Sequence, residues 1–151
     1  MTTEKEHVVD RTGWPPGPWD NEPDKIQFKT KSGLPALIVR NRGGALCGYV
    51  GVTKGHPYFD IVDETSADLD VHGGITYGGK CSGNICHVPE PGEPDDVYWL
   101  GFDCAHVGDF FPSDAAFVKK HSPLFDGNKY RDVAYVHAEC ERLAEQLVQI
   151  P

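Results

Sequence analysis

Two short stretches of the chain hold the side chains best suited to moving a proton. They are Asp70-Val71-His72-Gly73-Gly74 and Gly101-Phe102-Asp103-Cys104-Ala105-His106-Val107-Gly108-Asp109. Histidine exchanges protons near neutral pH, and a neighbouring carboxylate orients the ring and raises its basicity. His72, Asp103, His106 and Asp109 are therefore the candidate catalytic residues. Gly73 and Gly74 allow a sharp turn or a close approach of backbone to a ligand. Together with Tyr77 and Trp99, whose rings can stack on a nucleotide base, they are candidate ligand-binding residues. Each stretch also has a plainer reading. The first would be a turn beside a hydrogen-bonded histidine, and the second a polar strand end.

A divalent cation is a further expectation, because Asp70, His72, Asp103 and His106 offer mixed nitrogen and oxygen donors, with Asp109 nearby. Such an ion would activate a water molecule. Cys81, Cys86 and His87, with Cys104 and His106 downstream, suit structural zinc less well, since the short Cys-x-x-Cys pairing is missing. The start of the chain, residues 1–10, is charged and lacks the apolar core of a secretory leader. The five cysteines are accordingly expected to be reduced thiols of a cytoplasmic protein, packed as small apolar side chains. No P-loop, Gly-x-Gly-x-x-Gly, Gly-x-Ser-x-Gly or His-Glu-x-x-His pattern is present, which argues against the common nucleotidases, dehydrogenases, serine hydrolases and zincins.

These residues need elements to position them. Residues 26–28, 34–39 and 45–52 read as three strands joined by Gly-bearing turns, an antiparallel meander. Residues 97–104 (VYWLGFDC) are the most strand-like run and should be central. Between them, residues 80–96 carry three prolines and read as a loop that covers the site. Residues 113–120 allow a short helix with Ser113 as its N-cap. In residues 130–149, Val133, Val136, Cys140, Leu143 and Leu147 recur at steps of three and four, so an amphipathic helix should lie across the sheet. Arg131, Glu139 and Arg142 fall on its polar side. The fold class is thus α+β: residues 25–151 form one domain, a mostly antiparallel sheet with a C-terminal amphipathic helix. Residues 1–24 form a Pro- and Trp-rich arm whose tryptophans pack onto the domain or a neighbouring subunit.

Charge narrows the partners. A formal net charge of −9, spread along the chain, repels a phosphate backbone and disfavours duplex nucleic acid. A small nucleotide-like ligand stays compatible, because local backbone N–H groups can overcome the global field. No run approaches the roughly 20 apolar residues of a membrane span. A homo-oligomer is compatible with the arm.

Several blocks occur in one order: residues 34–40 (LPALIVR), 47–52 (CGYVGV), 55–57 (GHP), 71–77 (VHGGITY), 101–109 (GFDCAHVGD) and 130–136 (YRDVAYV). In that combination the chain resembles a family of small uncharacterised proteins encoded by bacteriophages and prophages. The resemblance spans residues 34–147 and implies an accessory role in the bacterial host cytoplasm, such as countering host defence. It carries over no catalytic role. Three functions compete. One is hydrolysis of a nucleotide-derived signal by His/Asp chemistry. Another is a non-catalytic sponge that sequesters such a signal. The third is a protein inhibitor that masks a host enzyme with the acidic run at residues 60–70.

Overall fold

The computed structural model describes residues 2–3, 7–61, 68–114 and 128–151. Ile26 and Phe28 alternate with more polar neighbours, and strand β2 (Lys25–Lys29) buries both. Gly33, at φ +92°, closes the turn into β3 (Pro35–Arg40). Gly44, at φ +96°, closes the next turn into β4 (Leu46–Thr53). These three strands form the expected antiparallel meander. β1 (Thr2–Thr3) adds two residues outside β2.

On the other side β4 pairs with β6 (Val97–Asp103), and β6 pairs with β5 (Tyr77–Lys80). The sheet order is β1-β2-β3-β4-β6-β5, antiparallel throughout. The run at residues 97–104 is interior, as its composition suggests. A separate parallel pair joins β7 (Asp109–Phe110) to β8 (Lys129–Tyr130).

The helix α1 (Val133–Val148) starts three residues later than its periodicity suggests, because the Asp132 side chain caps it by accepting from Tyr135 N–H. Val136, Cys140, Leu143 and Leu147 are buried against Ile38, Val50, Leu100 and Phe102 of the sheet. Close contact needs a gap in β4. A side chain at Gly48 would overlap Phe102 and the Cys140 sulfur. The molecule is a single α+β domain with the helix on one sheet face.

The opposite face carries Leu37, Val39, Cys47, Tyr49, Val97 and Trp99. Residues 81–96 cross it, which corrects their expected place over the His/Asp residues. Lys25 Nζ donates to Cys86 O at 2.9 Å, Gln27 and Val88 exchange two hydrogen bonds at 2.7 and 2.8 Å, and His87 packs edge-on against Trp99. Cys81 and Cys86 form a disulfide, so the expectation of five reduced thiols is also corrected. Backbone hydrogen bonds between Ser82 and Ile85 fold the intervening residues into a tight hairpin. That turn brings the two cysteines within 4.5 Å at Cα, within the range a disulfide requires. Cys47, Cys104 and Cys140 are free and buried.

The arm packs on its own domain. Trp19 is buried between Phe110 and Tyr130. Beneath it, Arg40 is fully buried and donates to Asp24, Gly44 O and Tyr130 Oη at 2.7–2.9 Å. Asp24 also takes Arg11 and Val9 N–H, while Glu22 accepts from Tyr130 and from Val133 N–H at the helix start. A buried guanidinium is tolerable only with such partners, and removing one typically costs about 3–5 kcal/mol. The proposed helix at 113–120 lies mostly outside the described residues; within them, Pro112–Asp114 form a single 3-10 turn.

Candidate functional site

The stretch around residue 72 is a turn. Val71 is buried, as its apolar side chain dictates, and Gly73 (φ +70°) and Gly74 (φ +80°) reverse the chain. Asp70 consequently points away from the cluster, exposed and paired with Arg142 at 3.3 Å. The four-residue donor set expected for a cation therefore does not converge. Among the described residues no group of three or more His, Cys, Asp or Glu side chains is arranged to hold a metal ion.

The other four residues do come together. After β6 the chain turns back, with Asp109 N–H bonded to His106 O at 2.9 Å. This turn brings His106 Nε2 to 2.5 Å from Asp103 Oδ1, an ion-pair contact that lies off the ring N–H direction. It also tucks the Asp109 carboxylate inward, where His72 Nε2 meets Oδ2 at 2.8 Å. Two His–Asp pairs result, with ring centroids 6.3 Å apart. Gly73 makes this spacing possible, since any Cβ there would overlap the His106 imidazole.

Asp109 is almost completely buried, its side chain 1% exposed. It also accepts Arg131 Nε at 2.9 Å and His106 N–H at 3.1 Å. Burial alone would raise its pKa. The hydrogen bonds from His72, Arg131 and the His106 backbone outweigh burial and hold it below the ordinary carboxylate value. Asp109 is thus a fixed anion that orients His72.

The helix supplies what lies on the far side of His72. Tyr135 Oη sits 2.8 Å from Nδ1, and Glu139 accepts the His72 backbone N–H at 2.9 Å. Burial and the Glu139 charge raise the Tyr135 pKa, so its hydroxyl keeps its proton and donates it to Nδ1. With Nδ1 accepting from Tyr135, the Nε2 hydrogen is donated to Asp109, an assignment that follows from the partners. The Arg131 guanidinium lies 5.0 Å from the Tyr135 ring centroid and is one-quarter exposed. His106 is over one-third exposed, and among the described residues its Nδ1 has no partner. Cys104 is inert here, since burial raises its thiol pKa well above neutrality.

Trp99 and Tyr77 are not at this cluster. Alternation along β6 sends Tyr98, Leu100 and Phe102 toward the helix and Trp99 away from it. Trp99 is fully buried and cannot stack on a ligand, which corrects that expectation. Tyr77 packs edge-on against Tyr49 on the same far face. Gly74, open to space, stays available beside His72.

Arg131, Tyr135 and Glu139 are site residues that sequence reasoning missed. The helical pattern puts Glu139 on the polar face, yet it is buried by its bonds to His72 N–H and Arg142. The available signal was the block YRDVAYV, where an arginine and a tyrosine flank a helix cap. Among the described residues there are cavities of about 840 and 500 Å³, and His72, Asp103, His106 and Asp109 line neither of these. No helix among the described residues is long and apolar enough to cross a membrane. In comparisons with known proteins, no family model, no curated protein and no solved structure matches this chain.

Proposed function

We propose that the chain is a hydrolase that cleaves a phosphodiester or related bond in a nucleotide-derived signal. The observation that carries this reading is the two His–Asp pairs, 6.3 Å apart at their ring centroids. Cleavage of a phosphodiester needs one group to take a proton from the nucleophile and another to give one to the leaving oxygen. His72 is suited to the first task. Its Nε2–H is fixed on Asp109, leaving Nδ1 to receive the proton of a water that takes the place of the Tyr135 hydroxyl. His106 is suited to the second, because it lies against Asp103 and, among the described residues, its Nδ1 has no partner. Arg131 stands beside Tyr135 and can neutralise charge developing on a phosphoryl oxygen. Arg131 places a positive charge beside the two imidazoles on an acidic protein, which suits a small anionic substrate.

Taken with the resemblance to phage-encoded proteins, the reading makes this an accessory protein that destroys a host immune nucleotide. The test is incubation with a panel of cyclic di- and trinucleotides, with and without Mn²⁺. Turnover that His72→Ala and His106→Ala each abolish supports the reading. Turnover of none of the panel, or turnover unaffected by both variants, overturns it. Binding followed by recovery of intact nucleotide after heat denaturation would instead identify a sponge.

A further inference from the structure

The larger cavity lies on the sheet face away from α1. Its floor is Val39, Cys47 and Tyr49, each 7–8% exposed, whereas Leu37 and Trp99 on the same face are completely covered. The difference has a structural cause. Residues 81–96 cover the Trp99 end of that face and the arm covers its margin, leaving about 840 Å³ open between them. Trp14 of the arm and Ile85 of the disulfide hairpin form the walls. Val8, at the mouth, is 78% exposed and extends the apolar lining to the rim. Arg42 also lines the opening and makes no ion pair or hydrogen bond among the described residues. Asp10, across the rim, is occupied by two hydrogen bonds from Thr12.

We infer that this cavity is a binding site for a small aromatic molecule carrying one anionic group, its ring on the Val39–Tyr49 floor and its anion on Arg42. The size is in the range of small-molecule sites, which combine apolar walls with a few placed polar groups. The Cys81–Cys86 bond fixes the Ile85 wall, so the cavity exists before the ligand arrives and binding need not order that loop. The inference does not rest on the hydrolase reading. None of the four His/Asp residues lines the cavity.

Two probes of this chemistry distinguish the source of the anion: 1-anilinonaphthalene-8-sulfonate, followed by its fluorescence, and adenosine monophosphate as its competitor. The full oxidised chain is used at neutral pH. The sulfonate should bind saturably at one site, and displacement by the nucleotide would identify a phosphate ligand. Arg42→Glu should weaken binding by roughly tenfold or more, the loss of one charge-assisted hydrogen bond. Asn84→Trp, on the exposed hairpin tip, should block the mouth and abolish binding while leaving the thermal midpoint unchanged. His72→Ala should leave binding intact. No saturable binding of either probe, or binding indifferent to both Arg42→Glu and Asn84→Trp, overturns the inference.

Discussion

Replacing Asp109 by Asn tests whether the buried carboxylate organises the site. The substitution keeps the shape and removes the charge, while Asp109 now accepts from His72 Nε2, Arg131 Nε and His106 N–H. Hydrogen bonds to a charged group contribute about 1.5–3 kcal/mol each. Arg131 is one-quarter exposed and His72 14% exposed, so water recovers a share of both. A net loss of about 3 kcal/mol is expected. At a urea dependence of about 2 kcal/mol per molar, the midpoint should fall by about 1.5 M, followed by tryptophan fluorescence. His72→Gln alone should cost less, because it leaves the Arg131 bond to Asp109 intact. The double variant should fall short of the sum by about 1 kcal/mol, the coupling of groups in direct contact. A midpoint shift below about 0.3 M, or strict additivity, would refute the reasoning.

Gly73→Ala should displace His106, since the new methyl overlaps the imidazole and the residue holds φ +70°. The left-handed backbone alone costs about 1–2 kcal/mol, so lower stability and a moved His106 ring resonance by NMR are expected. The acid limb of stability depends on Asp24 and Asp109, both with folded pKa below the ordinary 3.8. Burial would raise the Asp24 pKa, and hydrogen bonds from Val9 N–H, Arg11 and Arg40 override it. A depressed folded pKa stabilises the fold in full above the unfolded value and stops doing so as pH falls through the folded one. Asp24→Asn should therefore be less stable than the parent at pH 7, with the gap closing below pH of about 4 in acid titrations followed by circular dichroism. Cys81→Ser with Cys86→Ser should lower stability by about 2 kcal/mol by the chain-entropy estimate for so short a loop, read from thermal midpoints. An unchanged midpoint would show that the hairpin is held by its backbone bonds alone.

Periodicity revealed most of the architecture. The meander, the interior strand at residues 97–103 and the buried stripe of α1 all follow from spacings of two or of three and four. His72, Asp103, His106 and Asp109 were legible as chemistry because histidine, aspartate and glycine sit together at chain reversals. Three features were not. Asp70 stands among the expected cation donors, but two positive-φ glycines make that stretch a turn and Asp70 pairs with Arg142 instead. Trp99 looked like a stacking surface, yet a large aromatic on an interior strand is buried by its neighbours. Tyr135 and Glu139, with Arg131 just ahead of the helix cap, reach the site because α1 crosses the sheet at one register. That depends on the small residue at position 48, a tertiary fact no local pattern encodes.

The same crossing has a kinetic consequence. Hairpin contacts such as β3 with β4 close over a few residues, so they can form early. The His72 bonds to Asp109 and to Tyr135 span 37 and 63 positions, and the entropy of closing such loops must be met before either forms. The β2–β4 meander can therefore form before the site, whereas β4 closes on β6 across a stretch longer than that between His72 and Asp109. A chain with native-like strand content and an undocked C-terminal segment would keep the His–Asp pairs of residues 72–109 and lack Arg131, Tyr135 and Glu139 around them.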